Sequence, residues 1–160
     1  MMFVITGTEA YPFDNLIREI DRLKGCGCIK DNVFIQLGSC NYVPEYCSYS
    51  RWLPFNEMID NINTASLIIS HAGAGTTLLC LELGKKPVLV TRKKEYGEHL
   101  DNHQILFAEM MENLGLAIVA YDVKDLEQCI GKNKIVTNGK QIYKKNNSKL
   151  INYLNSWIME

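Results

Sequence analysis

The sequence LIISHAGAGTTLLCLELG at residues 67–84 decides the fold. It begins with a short apolar run at residues 67–69, which predicts a buried strand. Residues 71–75 contain two glycines, and the threonines that follow open an apolar segment that predicts a helix ending at Gly84. The stretch therefore predicts a strand that turns through glycines into the N-terminus of a helix.

A turn of this kind is a favourable site for an anion. Backbone N–H groups converge at a helix N-terminus, where the helix dipole also favours negative charge. Glycines in the turn let a phosphate group approach the backbone without a Cβ atom in the way. The turn therefore predicts a site for the diphosphate of a nucleotide. A tight turn without a ligand is the alternative, and the turn alone does not decide between the two.

The spacing of the turn matches neither of two common phosphate-binding motifs. The Walker pattern ends in Gly-Lys-Ser/Thr, which this turn lacks. The G-x-G-x-x-G pattern needs a third glycine where this chain has Leu78, and no acidic residue is well placed after the first strand. A dinucleotide-binding protein of that type is therefore the weaker interpretation.

Length, composition and charge predict one globular domain over residues 1–160, with its core within about residues 1–131. Apolar residues make up 47% of the chain, which is enough for a core. The net charge of −1 argues against a nucleic-acid partner. No apolar run approaches the ~18 residues of a membrane span. Residues 1–7 predict a strand rather than a signal peptide, because they lack a basic segment.

The six cysteines are scattered through a chain large enough not to need disulfides for stability. We expect them to be reduced thiols in a cytoplasmic protein. Cys26 and Cys28 form a C-x-C pair, but no second Cys/His pair lies at zinc spacing. The sequence therefore predicts no metal site.

Predicted strands alternate with predicted helices along the chain, which indicates parallel β-α-β units and an open sheet with helices on both faces. Ligands of such α/β sheets bind at the carboxyl ends of the strands. The polar clusters of this chain all follow predicted strands, at residues 6–8, 38–39, 71–75 and 92–104. The predicted strands lie at residues 3–5, 33–37, 50–53, 67–69, 87–90 and 116–120, and the predicted helices at residues 12–24, 56–64, 76–84, 100–114 and 123–130.

The chain changes character after Ile130. Lysines recur without an acidic residue before Glu160, and apolar residues at helical spacing predict a basic amphipathic helix at about residues 140–159. Two interpretations remain open. The helix packs on the domain with its lysines in solvent, or it lies on an anionic membrane.

Several blocks of the sequence carry a resemblance to a known family. They are FVITGT with PFDNLIREID, FIQLGS, SHAGAGT, LGKKPVLV with KKEYGEH, and DNHQ, and they cover roughly residues 3–125. The chain resembles the C-terminal, UDP-sugar-binding domain of family 28 glycosyltransferases. It is most similar to the small catalytic subunits of two-component enzymes. One group is the bacterial capsule and exopolysaccharide subunits of the PssE type; the other is the eukaryotic subunit that transfers GlcNAc to a dolichol-linked acceptor.

The resemblance implies one half of a GT-B glycosyltransferase, with a Rossmann-like sheet. It implies an inverting enzyme that moves Glc, Gal or GlcNAc from a UDP-sugar to a lipid-diphosphate-linked saccharide in polysaccharide or glycan biosynthesis. It implies no metal cofactor, and the chain has no D-x-D motif. It further implies a membrane-anchored partner subunit that supplies the acceptor-side domain, and hence a cytoplasmic protein held at the cytosolic membrane face. A non-catalytic UDP-binding or accessory module is the alternative.

The resemblance also assigns roles to individual residues of the chain. One group binds the diphosphate, a second reaches the donor sugar and phosphates, a third forms the first loop beside the phosphates and the acceptor, and a fourth packs the uracil. For the last group, a place in the core is the alternative, and His103 has helix capping as its alternative. In that order the groups are His71, Gly73, Gly75 and Thr76; Asn102, His103 and Gln104; Thr6, Gly7 and Thr8; and Phe55 and Met58.

The chain departs from the family pattern at two positions. The family usually has an acid that holds the donor ribose where this chain has Leu79. Glu82, one turn later on nearly the same helix face, is the candidate to replace it, and loss of the ribose contact is the alternative. The first loop often has a histidine where this chain has Glu9. Glu9 is the candidate for the catalytic base, with a base from the partner subunit as the alternative. We expect His71 to donate a hydrogen bond to the phosphate in catalysis.

Overall fold

The computed structural model describes residues 1–98 and 103–137 of the chain. Its six strands are β1 (Met2–Ile5), β2 (Val33–Gln36), β3 (Ser48–Ser50), β4 (Leu67–His71), β5 (Val88–Val90) and β6 (Ile118–Ala120). They form one sheet in the order β3-β2-β1-β4-β5-β6, and every neighbouring pair is parallel. The helices are α1 (Asp14–Gly25), α2 (Phe55–Thr64), α3 (Ala74–Glu82), α4 (His103–Asn113) and α5 (Leu126–Thr137), with single 3-10 turns at Lys94–Tyr96 and Val123–Asp125.

Helices cover both faces of the sheet, as the sequence predicts. In β1, Met2 and Val4 pack in the core with α1 and α5. Phe3 and Ile5 alternate with them and pack with Ile62 of α2 and with α3 on the other face. A strand that is apolar at every position is thus buried on both sides, as in other parallel sheets with helical cover.

The third strand and the helix after it differ from their predicted positions. The strand lies at Ser48–Ser50 rather than at residues 50–53. Arg51 stays beside the loop after β2: its carbonyl accepts from the N–H of Gly38 (2.9 Å), and its guanidinium donates to the carbonyls of Gly38 (3.0 Å) and Cys40 (2.9 Å). α2 begins at Phe55 rather than at residue 56, because Pro54 is its N-cap and accepts the first intrahelical bond.

Two further helices start or end away from their predicted bounds. α3 begins at Ala74 rather than at Thr76, because Gly73 is its N-cap. The last predicted helix continues past Ile130 to Thr137, since Gly131 lies inside α5 and does not end it. The predicted basic helix at about residues 140–159 lies outside the described residues. Within the described part of the chain, no helix is long and apolar enough to cross a membrane.

A buried carboxylate attaches the loop before β3 to α1. Asp21 is buried and accepts hydrogen bonds from the backbone N–H of Glu45 (2.9 Å) and Tyr46 (2.8 Å) and from the Tyr42 hydroxyl (2.7 Å). Burial opposes ionisation of Asp21, but these hydrogen bonds outweigh it and lower the pKa of its carboxyl. The ionised form is therefore part of the folded structure.

We expect Asp21→Asn to lower the free energy of unfolding by about 2 kcal/mol at pH 7, because an amide cannot satisfy all three donors. A lowered pKa stabilises the fold above the ordinary Asp value of 3.8 and ceases to do so as the pH falls through the folded-state pKa. The difference between variant and parent should therefore shrink towards pH 3, as urea denaturation at several pH values would show. The exposed Asp60→Asn is the control, and an equal loss in both variants would contradict the role of Asp21.

Candidate functional site

A cleft lies where the order of the strands reverses, outside the carboxyl ends of β1 and β4. Chains with this strand order bind ligands at that switch point, because the helices on either side leave the sheet in opposite directions. The cleft has a volume of about 240 Å³. It is lined by residues 7–9 after β1, by His71 and residues 73–76 after β4, by Met58 of α2 and by Gln36 of β2.

The imidazole of His71 lies between the backbones of two glycines. A Cβ atom at Gly7 would be 2.5 Å from Cε1 of His71, and one at Gly73 would overlap Nε2. Both positions therefore require glycine as long as the ring is there, and Gly7 also has a φ of +85°. The histidine is buried and forms part of the cleft floor. The predicted turn residues His71, Gly73, Gly75 and Thr76 are thus brought together.

The N-terminus of α3 opens into the cleft. The N–H and the hydroxyl of Thr77 both donate to the carbonyl of Gly73, at 3.1 and 2.8 Å. The amides of Ala74, Gly75 and Thr76 come before this first intrahelical bond and have no acceptor within the helix. A Cβ atom at Gly75 would meet no protein atom within 4 Å. Packing therefore does not require this glycine, and its effect is to keep space open beside the amides.

The loop after β1 is held by Gln36, which the sequence analysis did not single out. The N–H of Gly7 donates to Oε1 of Gln36 (2.9 Å), and Nε2 of Gln36 donates to the carbonyl of Gly7 (3.0 Å). The hydroxyl of Thr6 donates to the backbone carbonyl of Gln36 (3.1 Å). The amide of Gly7 is therefore engaged within the protein, so this loop shapes the wall of the cleft. The sequence signal for Gln36 was its position as a polar residue at the end of an otherwise apolar strand.

A second polar residue that the sequence analysis did not single out is Arg92, just after β5. Its side chain is 1% exposed. It donates to Oε2 of Glu9 (2.8 Å) and to the carbonyl of Thr6 (2.8 Å), and its guanidinium lies 5.4 Å from the ring centre of Phe13. Burial lowers the pKa of Arg92, while the neighbouring carboxylate of Glu9 favours its charged form. Glu9, the predicted base, is thus one half of an ion pair and lines the cleft.

The residues predicted to contact the uracil and the ribose differ in their placement. Phe55 is 68% exposed, so the alternative that it belongs to the core is wrong. Met58 both lines the cleft and packs on the core beside Phe3. Leu79 packs in that same apolar cluster. Glu82 is exposed at the last position of α3, roughly 10 Å along the helix axis from Gly75 at 1.5 Å per residue.

The DNHQ motif is only partly within the described residues. Asn102 lies outside them. His103 is the first residue of α4, and the description does not extend to its side chain. Gln104 is buried, and its Oε1 atom has no hydrogen-bond partner among the described residues. Gln104 is not among the described residues that line the cleft. In the described part of the chain, no group of three or more His, Cys, Asp or Glu side chains could hold a metal ion.

A parallel sheet of this order, with a glycine turn and a helix N-terminus at its switch point, has the form of a Rossmann-like half of a GT-B glycosyltransferase. The model of the glycosyltransferase family 28 C-terminal domain matches residues 1–155, and the chain belongs to this family. The predicted family and fold are thereby confirmed. The fold is shared with the glycotransferase of kitacinnamycin (TM-score 0.57, 14% identity) and with the calicheamicin glycosyltransferase CalG4 (0.56, 15%). Each likeness covers 82% of this chain and 34% of the other.

Among curated proteins, the chain is similar to the UDP-N-acetylglucosamine transferase subunit ALG13. The Candida albicans protein is 35% identical over 89 residues, which are 56% of this chain and 28% of the relative. The human protein is 31% identical over 125 residues, which are 71% of this chain and 10% of the relative. The chain therefore spans only about a tenth to a quarter of the length of these relatives.

We expect Gly75→Ala to weaken the binding of UDP at least about 10-fold, because the added methyl group occupies the space beside the α3 amides. The same change should raise the free energy of unfolding by up to about 1 kcal/mol, since alanine is the better helix residue. Calorimetric titration with UDP and urea denaturation measure the two effects.

The matched control is Gly131→Ala. Gly131 also lies inside a helix, and a Cβ atom there would also meet no protein atom within 4 Å. It should give a similar gain in stability and leave UDP binding unchanged. If Gly75→Ala bound UDP as tightly as the parent chain, the α3 N-terminus would not be the diphosphate site.

Proposed function

We propose that the chain is the catalytic subunit of an inverting transferase. It binds the diphosphate of a UDP-sugar at the N-terminus of α3 and transfers the sugar to a lipid-diphosphate-linked saccharide. The observation that carries the proposal is the open space beside the amides of Ala74, Gly75 and Thr76, at the switch point of the sheet. Membership of family 28 supports glycosyl transfer as the reaction.

The cleft offers groups for each part of the transfer. Glu9 accepts the proton of the acceptor hydroxyl, whose oxygen attacks the anomeric carbon from the face opposite UDP. The bond between the anomeric carbon and the phosphate oxygen breaks, and its electron pair leaves with UDP. The charge that develops on the diphosphate is met by the α3 amides, the helix dipole and His71. In this proposal these groups take the place of a cation, and the reaction needs no metal.

UDP-GlcNAc is the first candidate for the donor, because the curated relatives are named as UDP-N-acetylglucosamine transferase subunits. UDP-Glc and UDP-Gal are the other candidate donors. The exposed ring of Phe55 and the side chain of Met58 offer an apolar surface for the uracil beside the cleft. Gln104 contacts a hydroxyl of the donor sugar in this proposal, and its buried Oε1 atom gives an acceptor for it.

The acceptor-side half of the cleft comes from a second, membrane-anchored subunit in this proposal. One observation supports it: the curated relatives are named as subunits of a UDP-N-acetylglucosamine transferase. The partner would hold the chain at the cytosolic face of the membrane, where capsule, exopolysaccharide or other glycan precursors are assembled.

A second candidate function is a non-catalytic UDP-binding subunit. The packing of Leu79 in the apolar core favours it, because a leucine there cannot hold a ribose hydroxyl. Glu82 does not line the cleft in this structure. The two functions differ in turnover, not in UDP binding.

We expect calorimetric titration to show binding of UDP and UDP-GlcNAc to the purified chain, with the same affinity with and without magnesium. His71→Phe keeps a ring between the two glycines but cannot donate a hydrogen bond, so it should weaken binding at least about 10-fold. Its melting temperature checks that the fold is kept. Binding that needs magnesium, or is unchanged in His71→Phe, would contradict the proposed phosphate site. Binding without any sugar transfer in the partner's presence would favour the non-catalytic subunit.

A further inference from the structure

We infer that Arg92 is a positioning residue for the transfer step: it fixes the Glu9 carboxylate in the orientation in which Glu9 accepts the proton of the acceptor hydroxyl. The inference rests on the proposed function, because it concerns a group that acts only when the sugar is transferred.

Arg92 joins two strands that are not neighbours in the sheet. It follows β5, while both of its hydrogen-bond acceptors, Oε2 of Glu9 and the carbonyl of Thr6, follow β1, and β4 lies between these strands. Each of the two contacts is 2.8 Å long. The planar guanidinium thus reaches across the switch point beneath the cleft and fixes two points of one loop.

Stability alone does not account for an arginine at this position. Removing a guanidinium from water is costly, and apolar side chains often replace buried ion pairs without loss of stability. Nε of Arg92 has no hydrogen-bond partner among the described residues, which adds to the cost of burial. An apolar side chain could fill the same volume against Phe13. It could not, however, hold a carboxylate at the cleft.

The two members of the ion pair have different surroundings. This difference indicates that Arg92 orients Glu9, and not the reverse. The Arg92 side chain is 1% exposed, whereas that of Glu9 is 46% exposed and lines the cleft. The backbone of Glu9 is already held, because the hydroxyl of Ser39 donates to its carbonyl (2.8 Å). What Arg92 adds is therefore the orientation of the side chain.

A second carboxylate supports the charge of Arg92. Glu98 is buried and accepts hydrogen bonds from Nδ2 of Asn15 (2.7 Å) and from the N–H of Lys93 (2.9 Å). Burial lowers the pKa of Arg92, but Glu9 and Glu98 both favour its charged form. The positive charge of the guanidinium is therefore stabilised by a buried carboxylate, Glu98, as well as by Glu9 at the cleft.

The test compares Arg92→Met, Arg92→Lys, Glu9→Gln and Glu9→Asp with the double variant Arg92→Met/Glu9→Gln. Each purified chain is added to membranes of the source cells from which its gene has been deleted, with radiolabelled UDP-GlcNAc, and kcat and KM are measured. UDP affinity is measured separately by calorimetry, and melting temperatures show which variants are folded.

We expect Glu9→Gln to lower kcat by at least about 100-fold, as for loss of a general base. Arg92→Met should lower kcat by about 100-fold through misplacement of Glu9, with UDP affinity within about twofold of the parent. The double variant should be no slower than Glu9→Gln alone, because the two residues act as a unit. Arg92→Lys should recover part of the rate, since lysine keeps the charge but not the planar fork. Glu9→Asp keeps the charge but moves it back by one methylene, and should be slow.

Several results would overturn the inference. The first is a parental kcat in folded Arg92→Met or Arg92→Lys. The second is a double variant whose fold-loss in kcat is the product of the two single fold-losses. The third is an Arg92 variant that loses UDP affinity but keeps the parental kcat. If Arg92→Met does not fold, Arg92→Lys still decides, and a parental kcat in that variant is the contradicting result. Arg22→Met, which removes an exposed ion pair with Glu19, is the control and should keep the parental rate. Failure of the proposed function is distinct, because the parental chain itself would then bind no UDP or transfer no sugar.

Discussion

The packing of the His71 ring against the backbones of Gly7 and Gly73 is the constraint on which the site depends. It brings the loop after β1 and the turn after β4 into contact at the switch point of the sheet. A side chain on either glycine would push the two loops apart or displace the ring. Two of the three glycines around the cleft are therefore explained by the protein itself. The third, Gly75, has no such explanation and faces open space, which is why it points to a ligand.

Buried polar side chains hold the wall of the cleft that follows β1. Gln36 bonds to both the N–H and the carbonyl of Gly7, and Arg92 binds the carbonyl of Thr6 and the carboxylate of Glu9. Buried polar groups are costly unless they are hydrogen-bonded, so this network fixes one arrangement of the loop. The end of α3 is different, since its first amides have no acceptor within the helix. The held loop after β1 thus faces the first backbone N–H groups of α3, which have no acceptor within the helix. A pre-formed anion site requires this arrangement.

The sequence predicted the parts of this structure that depend on local patterns. Apolar runs gave the strands, and their alternation with helices gave the parallel sheet. The turn after β4 was found because its glycines and the helix after it are contiguous in the chain. The partner of Glu9 could not be found in this way, since Arg92 lies 83 residues further along the chain. The start of α2 was also missed by one residue, because the carbonyl of Pro54 accepts the first intrahelical bond.

The departure at Leu79 shows what a resemblance alone does not decide. On the sequence, Glu82 lies close enough to replace the missing acid, because one helical turn separates the two residues. In the structure, Leu79 packs into the core beside Met58, and Glu82 lies at the far end of α3 from the cleft. The diphosphate and the uracil thus have candidate contacts among the described residues, whereas the ribose contact remains a prediction.

The most direct test of the central claim is an NMR titration of the ¹⁵N-labelled chain with UDP, following the backbone amide resonances. If the α3 N-terminus binds the diphosphate, the largest shifts should be those of Ala74, Gly75 and Thr76, while Gly27 and Gly131 stay unchanged. Shifts that saturate with UDP but are centred elsewhere, with these three amides unaffected, would contradict the account.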